Sequence, residues 1–299
     1  MWCRNVVKRM NQNEVKNTIF HQLTKRCTSA QVDSDYSSKV DGKGLFALLP
    51  CQPGDMVFEE YPVGVTAVAY WDIRETCCAN CVRPFTDNSN TVECGTADCG
   101  EKYCSNSCFE WAERLYHSNL CSGRNPHYKR YFEIASNSHN EYYIVAARLL
   151  NMFPGAPWLH HYECPEWTTL DHSSPETDLE EENAVMTDLI NKFIKPNISQ
   201  EVLSKTIGML RINVLALKHG DLEIGFALYS TQSLMNHSKE PNCQCVTVSS
   251  SELPNTPCLC SVEAISDIRP GDELTISYVH VMEEPQRARV LRYQYNIVE

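Results

Sequence analysis

Seven cysteines and one histidine crowd into residues 78–121 of this 299-residue chain, and their spacing constrains the fold more than any other feature. Zinc takes four such ligands in a tetrahedron at about 2.0–2.3 Å, and a Cys-x2-Cys turn supplies two of them at once. The stretch therefore predicts metal binding in a reducing compartment, not a disulfide scaffold. The eight predicted ligands are Cys78, Cys81, Cys94, Cys99, Cys104, Cys108, His117 and Cys121.

Eight ligands make two sites, and the segment after Cys104 has helical spacing that lets His117 and Cys121 share one helix face. The segment has too little core to fold alone, so metal is expected to contribute about 10–16 kcal/mol of apparent stability per site. An interleaved pairing puts Cys78, Cys81, Cys104 and Cys108 on one ion, and Cys94, Cys99, His117 and Cys121 on the other.

Two other interpretations of this stretch stay open at the level of sequence. The cysteines could be buried residues that only pack, or Cys77 could take the place of Cys78 as a ligand. With four protein ligands at each ion, no position is left for water, so the metal is predicted to be structural and not catalytic.

The charge and hydropathy of the whole chain exclude several function classes. The formal net charge is −12, and zinc-bound thiolates would make it more negative, so broad binding to nucleic acid is disfavoured and a basic protein partner is favoured. No apolar run is long enough to cross a membrane. In a reducing compartment, the Asn-X-Ser sequences at Asn197 and Asn236 are not glycosylation sites.

The first residues carry Glu14 as their sole acid and lack the apolar segment of a secretion signal. This pattern resembles a mitochondrial presequence, although a disordered or loosely helical tail is favoured. The expected location is the cytoplasm, the nucleus or both.

Short β-type runs lie on both sides of the cysteine-rich stretch, and neither set looks complete alone. Upstream, Gly42 and Gly44 bracket Lys43 in an expected loop, followed by "LFALLP" and "MVFEEYPV". Residues 124–153 and 178–218 have helical apolar spacing, and the proline-rich stretch 153–176 is expected to be a loop. From residue 221 onward the pattern is β again. The simplest organisation is one β domain interrupted by insertions, an α+β fold.

Three short motifs occur in order: "GKGLFA", "NHSKEPN" and "GDELTISY". They look like the signature motifs of the SET domain, and "KYCSNSCFEWAERLYHSNLC" resembles the MYND zinc finger. From about residue 30 to 297 the chain is thus similar to the SET-and-MYND lysine methyltransferases, nearest the branch without the C-terminal helical repeat domain. The resemblance implies small antiparallel sheets with a knot-like C-terminal part, split by the finger and a helical insertion.

The resemblance also implies a division of the chain into six parts. These are an N-terminal tail (1–28), the first SET part (29–76), the MYND finger (77–121), a helical insertion (122–220), the SET core (221–280) and a short tail (281–299). The finger is expected to be structural and to offer a site for a protein partner, and the chain is expected to be a monomer.

The resemblance implies S-adenosylmethionine as methyl donor. Glycine permits close approach to the donor's backbone, and an asparagine–histidine pair and a further asparagine contact it. The matching residues are Gly42, Lys43, Gly44, Asn213, Asn236 and His237. The alternatives are a simple turn at 42–44, an Asn-type turn cap at Asn236 and a solvated helical side chain at Asn213.

Two tyrosines match the lysine channel of the family. Tyr278 matches the catalytic tyrosine and Tyr295 a second channel tyrosine, while the alternatives are a core strand aromatic and a packed helix-end aromatic. The function expected is methyl transfer to a lysine of a histone or other basic protein. The alternative is a catalytically weak or inactive adapter that binds partners through the finger.

Three positions depart from the family pattern. Lys239 follows Asn-His-Ser where a cysteine is usual, Ile297 stands where an aromatic commonly stacks on the adenine, and Glu299 stands about where a cysteine cluster would begin. We therefore expect no third zinc site in this region. Four cysteines on alternate β positions could form one, although small core side chains are favoured: Cys243, Cys245, Cys258 and Cys260.

Overall fold

The structure is a computed structural model that describes most of the chain. The described ranges are 32–37, 42–67, 73–86, 90–153, 176–194, 197–219, 222–248, 258–279, 284–295 and 297. The expected tail at 1–28 and nearly all of the expected proline-rich loop lie outside these ranges. Within them, each helix is too short or too polar to cross a bilayer.

Twelve strands and seven α-helices occur in the described ranges. The strands are β1 (Val32–Ser37), β2 (Gly42–Ala47), β3 (Met56–Glu60), β4 (Gly64–Ala67), β5 (Val92–Glu93), β6 (Lys102–Tyr103), β7 (Val214–His219), β8 (Leu222–Leu228), β9 (Asn236–His237), β10 (Cys243–Val248), β11 (Leu259–Ala264) and β12 (Glu273–Ile276). The helices are α1 (Ile73–Thr76), α2 (Asn106–Ala112), α3 (Pro126–Asn137), α4 (Tyr142–Met152), α5 (Glu176–Ile190), α6 (Gln200–Asn213) and α7 (Glu284–Tyr295). A π-helical turn, Glu113–His117, continues α2.

The strands form three small sheets and one two-stranded ribbon, as the predicted α+β class requires. The strand orders are β1-β2-β12-β9, β10-β11-β3 and β4-β8-β7, with β5 paired to β6. All pairings are antiparallel except that of β12 with β9, which is parallel. Each of the three sheets combines strands from before and after the helices, so the β domain is indeed one unit interrupted by insertions.

The helical block forms a core of its own, which also includes much of the cysteine-rich stretch. Three of the helices, α2, α3 and α6, begin at side-chain caps that satisfy free backbone N–H groups: Ser105 accepts from the Cys108 N–H, Asn125 from the N–H groups of His127 and Tyr128, and Ser199 from the Val202 N–H. Helix α4 is buried along almost its whole length, because it packs between the cysteine-rich segment and the β4-β8-β7 sheet.

Two predictions of local structure were wrong. Residues 214–218, predicted as helix, form strand β7, and residues 42–44, predicted as loop, belong to strand β2. The run Val214–Leu217 is apolar throughout, so its period cannot distinguish helix from strand. Helix α6 ends at Asn213, and the register pairs Val214 with Leu228, which makes β7 the edge of its sheet. Gly42 and Lys43 are extended because they pair with Ser37 and Tyr36 of β1.

Candidate functional site

The first predicted zinc tetrad is assembled from two parts of the cysteine-rich stretch. The Sγ of Cys104 lies 3.6 Å from that of Cys81 and 3.5 Å from that of Cys108. All four ligand atoms, including Cys78 Sγ, lie within 4.8 Å of one another. Thiolates at about 2.3 Å from a tetrahedral zinc ion are about this far apart, so the four cysteines fit the metal.

The second tetrad is formed by the remaining four predicted ligands. Nε2 of His117 lies 3.2 Å from Cys94 Sγ and 3.6 Å from Cys99 Sγ, and Cys94 Sγ lies 3.8 Å from Cys121 Sγ. The interleaved pairing expected from the sequence is therefore the one observed. The π-helical turn that ends at His117 fixes where the imidazole points.

Buried residues around the second tetrad orient its histidine ligand. Nδ1 of His117 lies 3.1 Å from Glu101 Oε2, which leaves Nε2 to face the metal position. The same carboxylate oxygen accepts from the Tyr103 hydroxyl at 2.8 Å, and the Arg148 guanidinium lies 3.8 Å from the other oxygen. His117 and Glu101 are buried, so this arrangement has the outer hydrogen bonds typical of a structural metal site.

The geometry also bears on the other cysteine hypotheses. Cys77 lies outside both tetrads and forms an isolated bridge with Pro84, so it does not replace Cys78. The register of β10 on β11 sets Cys243 opposite Ala264 and Cys260 opposite Thr247, which separates the thiols of the two strands. Within the described residues, the four strand cysteines form no metal cluster, and Cys243, Cys258 and Cys260 pack in the β core.

The four-stranded sheet brings together motifs that are far apart in the sequence. Strand β12 pairs with β2 on one side, with Leu274 opposite Leu45, and with β9 on the other, with Thr275 opposite Asn236. The Asn236 amide donates to Glu273 Oε1 at 2.8 Å. Gly44, next to Leu45 in β2, and Asn236 in β9 thus flank the same strand.

His237 and Tyr278 are in direct contact. The Tyr278 backbone N–H donates to His237 Nδ1 at 3.1 Å, and their ring centroids are 5.4 Å apart. The Tyr278 hydroxyl donates to the Met235 carbonyl at 2.8 Å. The Tyr295 ring lies 4.7 Å from the Tyr278 ring, so the two predicted channel tyrosines are neighbours.

A cavity of about 560 Å³ lies beside these tyrosines. One wall comes from β7 and β8, including Leu215 and Phe226, and the facing wall from β10 and the residues after β12. Of the predicted site residues, Asn213, Tyr278 and Tyr295 line this cavity. Gly44, Asn236 and His237 are not among the residues that line it and lie on the adjoining sheet, in which β2 also carries Gly42 and Lys43.

Asn213 is held at the end of α6, where the cavity begins. Its side-chain amide donates to the Met209 carbonyl at 2.8 Å, and its backbone carbonyl accepts from the Ser233 hydroxyl at 3.1 Å. The amide is therefore used within the helix, and the side chain lines the cavity through its remaining surface. Burial raises the pKa of Tyr295 well above its ordinary value, so its hydroxyl stays protonated at neutral pH.

Glu60 supports the site and was missed by the sequence reasoning. Its carboxylate is fully buried and accepts from the Ser230 hydroxyl and from the backbone N–H groups of Thr231 and Gln232 at 2.5–3.1 Å. These residues start the turn that leads to Ser233, Met235 and Asn236. A signal exists in the sequence, because strand alternation through "VFEEY" must place one of two adjacent glutamates inside.

The comparisons with known proteins agree with this arrangement. The SET domain family model matches residues 42–279, which is most of the chain. Human histone-lysine N-methyltransferase SMYD3 is 26% identical over 271 residues, covering 85% of this chain and 57% of that protein. Mouse histone-lysine N-methyltransferase Smyd1 is 24% identical over 285 residues, covering 87% of this chain and 53% of that protein.

Histone-lysine N-methyltransferase SET5 of Mycosarcoma maydis is 22% identical over 319 residues, covering 87% of this chain and 64% of that protein. The chain thus spans somewhat over half the length of these relatives. Among solved structures, the SET domain of LSMT bound to lysine and AdoHcy is 13% identical, with a TM-score of 0.46, and covers 97% of this chain and 58% of that one. The family match over residues 42–279 decides the assignment: the chain belongs to the SET domain family, and within it is similar to the SET-and-MYND proteins.

Proposed function

We propose that this chain is an S-adenosylmethionine-dependent protein-lysine methyltransferase. The observation that carries the proposal is the fixed hydroxyl of Tyr278, which donates to the Met235 carbonyl at one end of a cavity and sits beside His237. The SET family membership and the names of the relatives point to the same reaction.

The donor is proposed to lie against the four-stranded sheet, held by residues of β2 and β9 and by Asn213. The glycines at 42 and 44 leave room for close approach, and the proposed contacts are Gly42, Lys43, Gly44, Asn213, Asn236 and His237. The nucleoside donor would supply an electrophilic methyl group on a sulfonium centre. Nδ1 of His237 accepts from the Tyr278 N–H, so in the tautomer that makes this bond Nε2 carries the proton.

The substrate amine is proposed to enter through the cavity toward Tyr278 and Tyr295. The Tyr278 hydroxyl donates its proton to the Met235 carbonyl, so toward the amine its oxygen acts as an acceptor for an N–H. Tyr295 keeps its proton at neutral pH as an ordinary phenol does, and burial raises its pKa further, so the cavity gains no phenolate that could hold the amine as an ammonium ion.

The chief cost of the reaction is deprotonation of lysine. At a reference pKa near 10.4, roughly one amine in a thousand is neutral at pH 7, a penalty of about 4 kcal/mol. The apolar part of the cavity lining, which includes Leu215, Phe226 and Val290, disfavours the charged form by desolvation, whereas the Glu223 carboxyl on the same cavity favours it. The remaining task is alignment of amine and methyl group, which the two tyrosines perform. No dedicated base is required.

The proposal is tested with purified protein, isotopically labelled donor and a basic protein such as a histone. Labelling that disappears in Tyr278→Phe supports the reaction and the role of the hydroxyl. Calorimetric titration with S-adenosylmethionine separates the enzyme from an adapter, because an adapter need not bind the donor. Absence of both donor binding and labelling would refute the proposal in favour of the adapter.

The proposal extends to the substrate class, the partner, the oligomeric state and the location. The acidic net charge favours a basic substrate, and the relatives' names favour a histone among such proteins. A protein partner at the zinc-binding stretch, a monomeric state and a location in the cytoplasm, the nucleus or both are part of the same proposal. The free thiols among the described residues suit a reducing compartment.

The proposed division of the chain keeps the six parts given above, with one adjustment. The helical insertion would end at Asn213 instead of residue 220, because β7 pairs with β8 of the SET core.

A further inference from the structure

The turn that carries the first two predicted zinc ligands packs directly on the sheets that wall the cavity. Cys258 lies just before β11, and its thiol donates to the Cys81 carbonyl, with Sγ 3.4 Å from the oxygen. Val82, the next residue, packs against Gly225 of β8, where an added Cβ would come within 2.9 Å of Val82 Cγ1. No zinc ligand lines the cavity, but this turn, Cys78–Val82, contacts both of the sheets that form its walls.

Val82 adopts a backbone conformation that is costly for its side chain. Its φ is +58°, and the residue is fully buried. A β-branched residue at positive φ is a genuine outlier and persists only when its surroundings hold it there. The packing of Val82 on Gly225 is therefore maintained against local strain.

Arg148 joins this turn to the rest of the fold. Its Nη1 donates to the Val65 carbonyl of β4 at 2.8 Å and to the Ala79 carbonyl of the turn at 3.0 Å. Its guanidinium also lies 4.6 Å from the centre of the Tyr116 ring and 3.8 Å from Glu101, the partner of the second tetrad. One buried cation thus contacts the surroundings of both tetrads and one strand of the β4-β8-β7 sheet.

Residues paired across the three strands of the β4-β8-β7 sheet connect the carbonyl bound by Arg148 to the cavity. Val65 pairs with Ala227 of β8, and Ala227 pairs with Leu215 of β7, which lines the cavity. The sheet has its other edge at β4, where the carbonyl held by Arg148 lies. A shift of β4 relative to the turn would therefore move one wall of the cavity.

We propose that Arg148 is a positioning residue that holds the β4-β8-β7 wall of the cavity against the Cys78–Val82 turn. The effect of Arg148 on catalysis rests on the proposed function, whereas its role in holding the wall in place does not. All proposed donor contacts except Asn213 lie on the β1-β2-β12-β9 sheet, which Arg148 does not contact through any of the hydrogen bonds described. Its loss should therefore affect substrate more than donor.

The test compares Arg148→Lys and Arg148→Met with the parent by hydrogen–deuterium exchange. Residues 222–228 are expected to exchange about tenfold faster in Arg148→Lys, since a charge-assisted hydrogen bond of ordinary strength is lost or weakened. Exchange at residues 273–276 should change less than about twofold. Zinc content should remain two ions per chain, which separates loss of positioning from loss of metal. If Arg148→Met does not fold, the comparison of Arg148→Lys with the parent is sufficient for the test.

The matched control is Arg130→Lys, the same change on the exposed face of α3, which should leave exchange unchanged. Unchanged exchange at 222–228 in Arg148→Lys, or equal acceleration throughout the chain, would overturn the proposal. The exchange experiment needs neither donor nor substrate, so it is informative even if the parent proves inactive. In an active parent, KM for a lysine peptide should rise about tenfold while donor Kd stays within about twofold.

Discussion

The backbone N–H of Tyr278 donates to Nδ1 of His237 at 3.1 Å, although the two residues are 41 positions apart in the chain. This bond fixes the histidine ring and at the same time fixes the main chain that carries the tyrosine. The Tyr278 hydroxyl is then held at its other end by Met235. The aromatic side chain is thus positioned from both ends before any ligand binds.

Replacing Tyr278 with phenylalanine should abolish most methyl transfer while leaving donor affinity within a few-fold of the parent. The change removes the hydroxyl that we propose orients the amine, and removal of one positioned polar group in an active site typically lowers kcat about a hundredfold or more. Transfer of labelled methyl groups to a basic protein measures the effect.

The control for this variant is Tyr131→Phe, which removes a buried hydroxyl that donates to the Tyr143 carbonyl within the helical core. It should lower stability modestly and leave turnover unchanged. Parent-level activity in Tyr278→Phe would eliminate the role assigned to this hydroxyl.

Replacing Asn236 with alanine should weaken donor binding. The side-chain amide is held by Glu273 at 2.8 Å, so it is positioned in advance, and the loss of one good hydrogen bond to a buried ligand costs about tenfold in affinity. Isothermal titration with S-adenosylmethionine measures the change. Asn137→Ala, an exposed site at the end of α3, is the control, and equal donor affinity in both variants would contradict the proposed contact.

Metal analysis of two adjacent cysteine variants tests the composition of the first tetrad. Cys78→Ser should bind one zinc ion per chain instead of two, because a serine hydroxyl replaces a thiolate ligand. Cys77→Ser should keep both ions, because Cys77 lies outside the tetrad. Loss of zinc from Cys77→Ser would reverse the assignment, and three ions in the parent would reveal a site among the strand cysteines.

Replacing Glu60 with glutamine should destabilise the protein by about 1–3 kcal/mol, because an NH2 donor would then face the N–H groups of Thr231 or Gln232. Glu59→Gln, at the half-exposed neighbouring position, is the control and should have little effect. Urea unfolding of the three proteins measures the free energies. Equal stability of the two variants would show that Glu60 does not hold the turn.

The pH dependence of the Glu60 effect has a defined sign. Burial raises the pKa of Glu60 above its ordinary value of 4.5, so the folded protein binds this proton more tightly than the unfolded chain. Its contribution to stability is then largest below pH 4.5 and declines as pH rises through the folded-state pKa. The difference in free energy of unfolding between the parent and Glu60→Gln should therefore become smaller as the pH rises from about 4.5 through the folded-state pKa of Glu60.

The zinc tetrads could be predicted residue by residue, because ligand chemistry and local spacing decide them. His117 and Cys121 were predicted to hold one ion, and the observed pairing matches, although the helix ends at His117 and Cys121 lies beyond it, so the two do not share a helix face. The motifs around Gly44, Asn236 and Tyr278 were also predicted to meet, and the four-stranded sheet with the contact of His237 and Tyr278 brings them near one another. Gly44, Asn236 and His237 nevertheless do not line the cavity that Tyr278 lines.

Other features depend on contacts that no local pattern contains. The apolar run after Asn213 forms a strand because β8 is available to pair with it. Gly42 and Lys43 are extended for the same reason, with β1 as partner. Cys243 and Cys260 could have shared a metal in another register, and only the register of β10 on β11 separates them. Long-range pairing decides each of these cases.

The pairing of β3 with β11, in which Glu60 is opposite Cys260, has a consequence for biosynthesis. The ribosome must add about two hundred residues after β3 before its partner exists, so the early strands wait without their neighbours. Segments with mostly local contacts, such as the metal-binding stretch and the helices, are able to form first. We expect the nascent chain to be most vulnerable to aggregation during this interval, and zinc supply during translation to determine the yield of native protein.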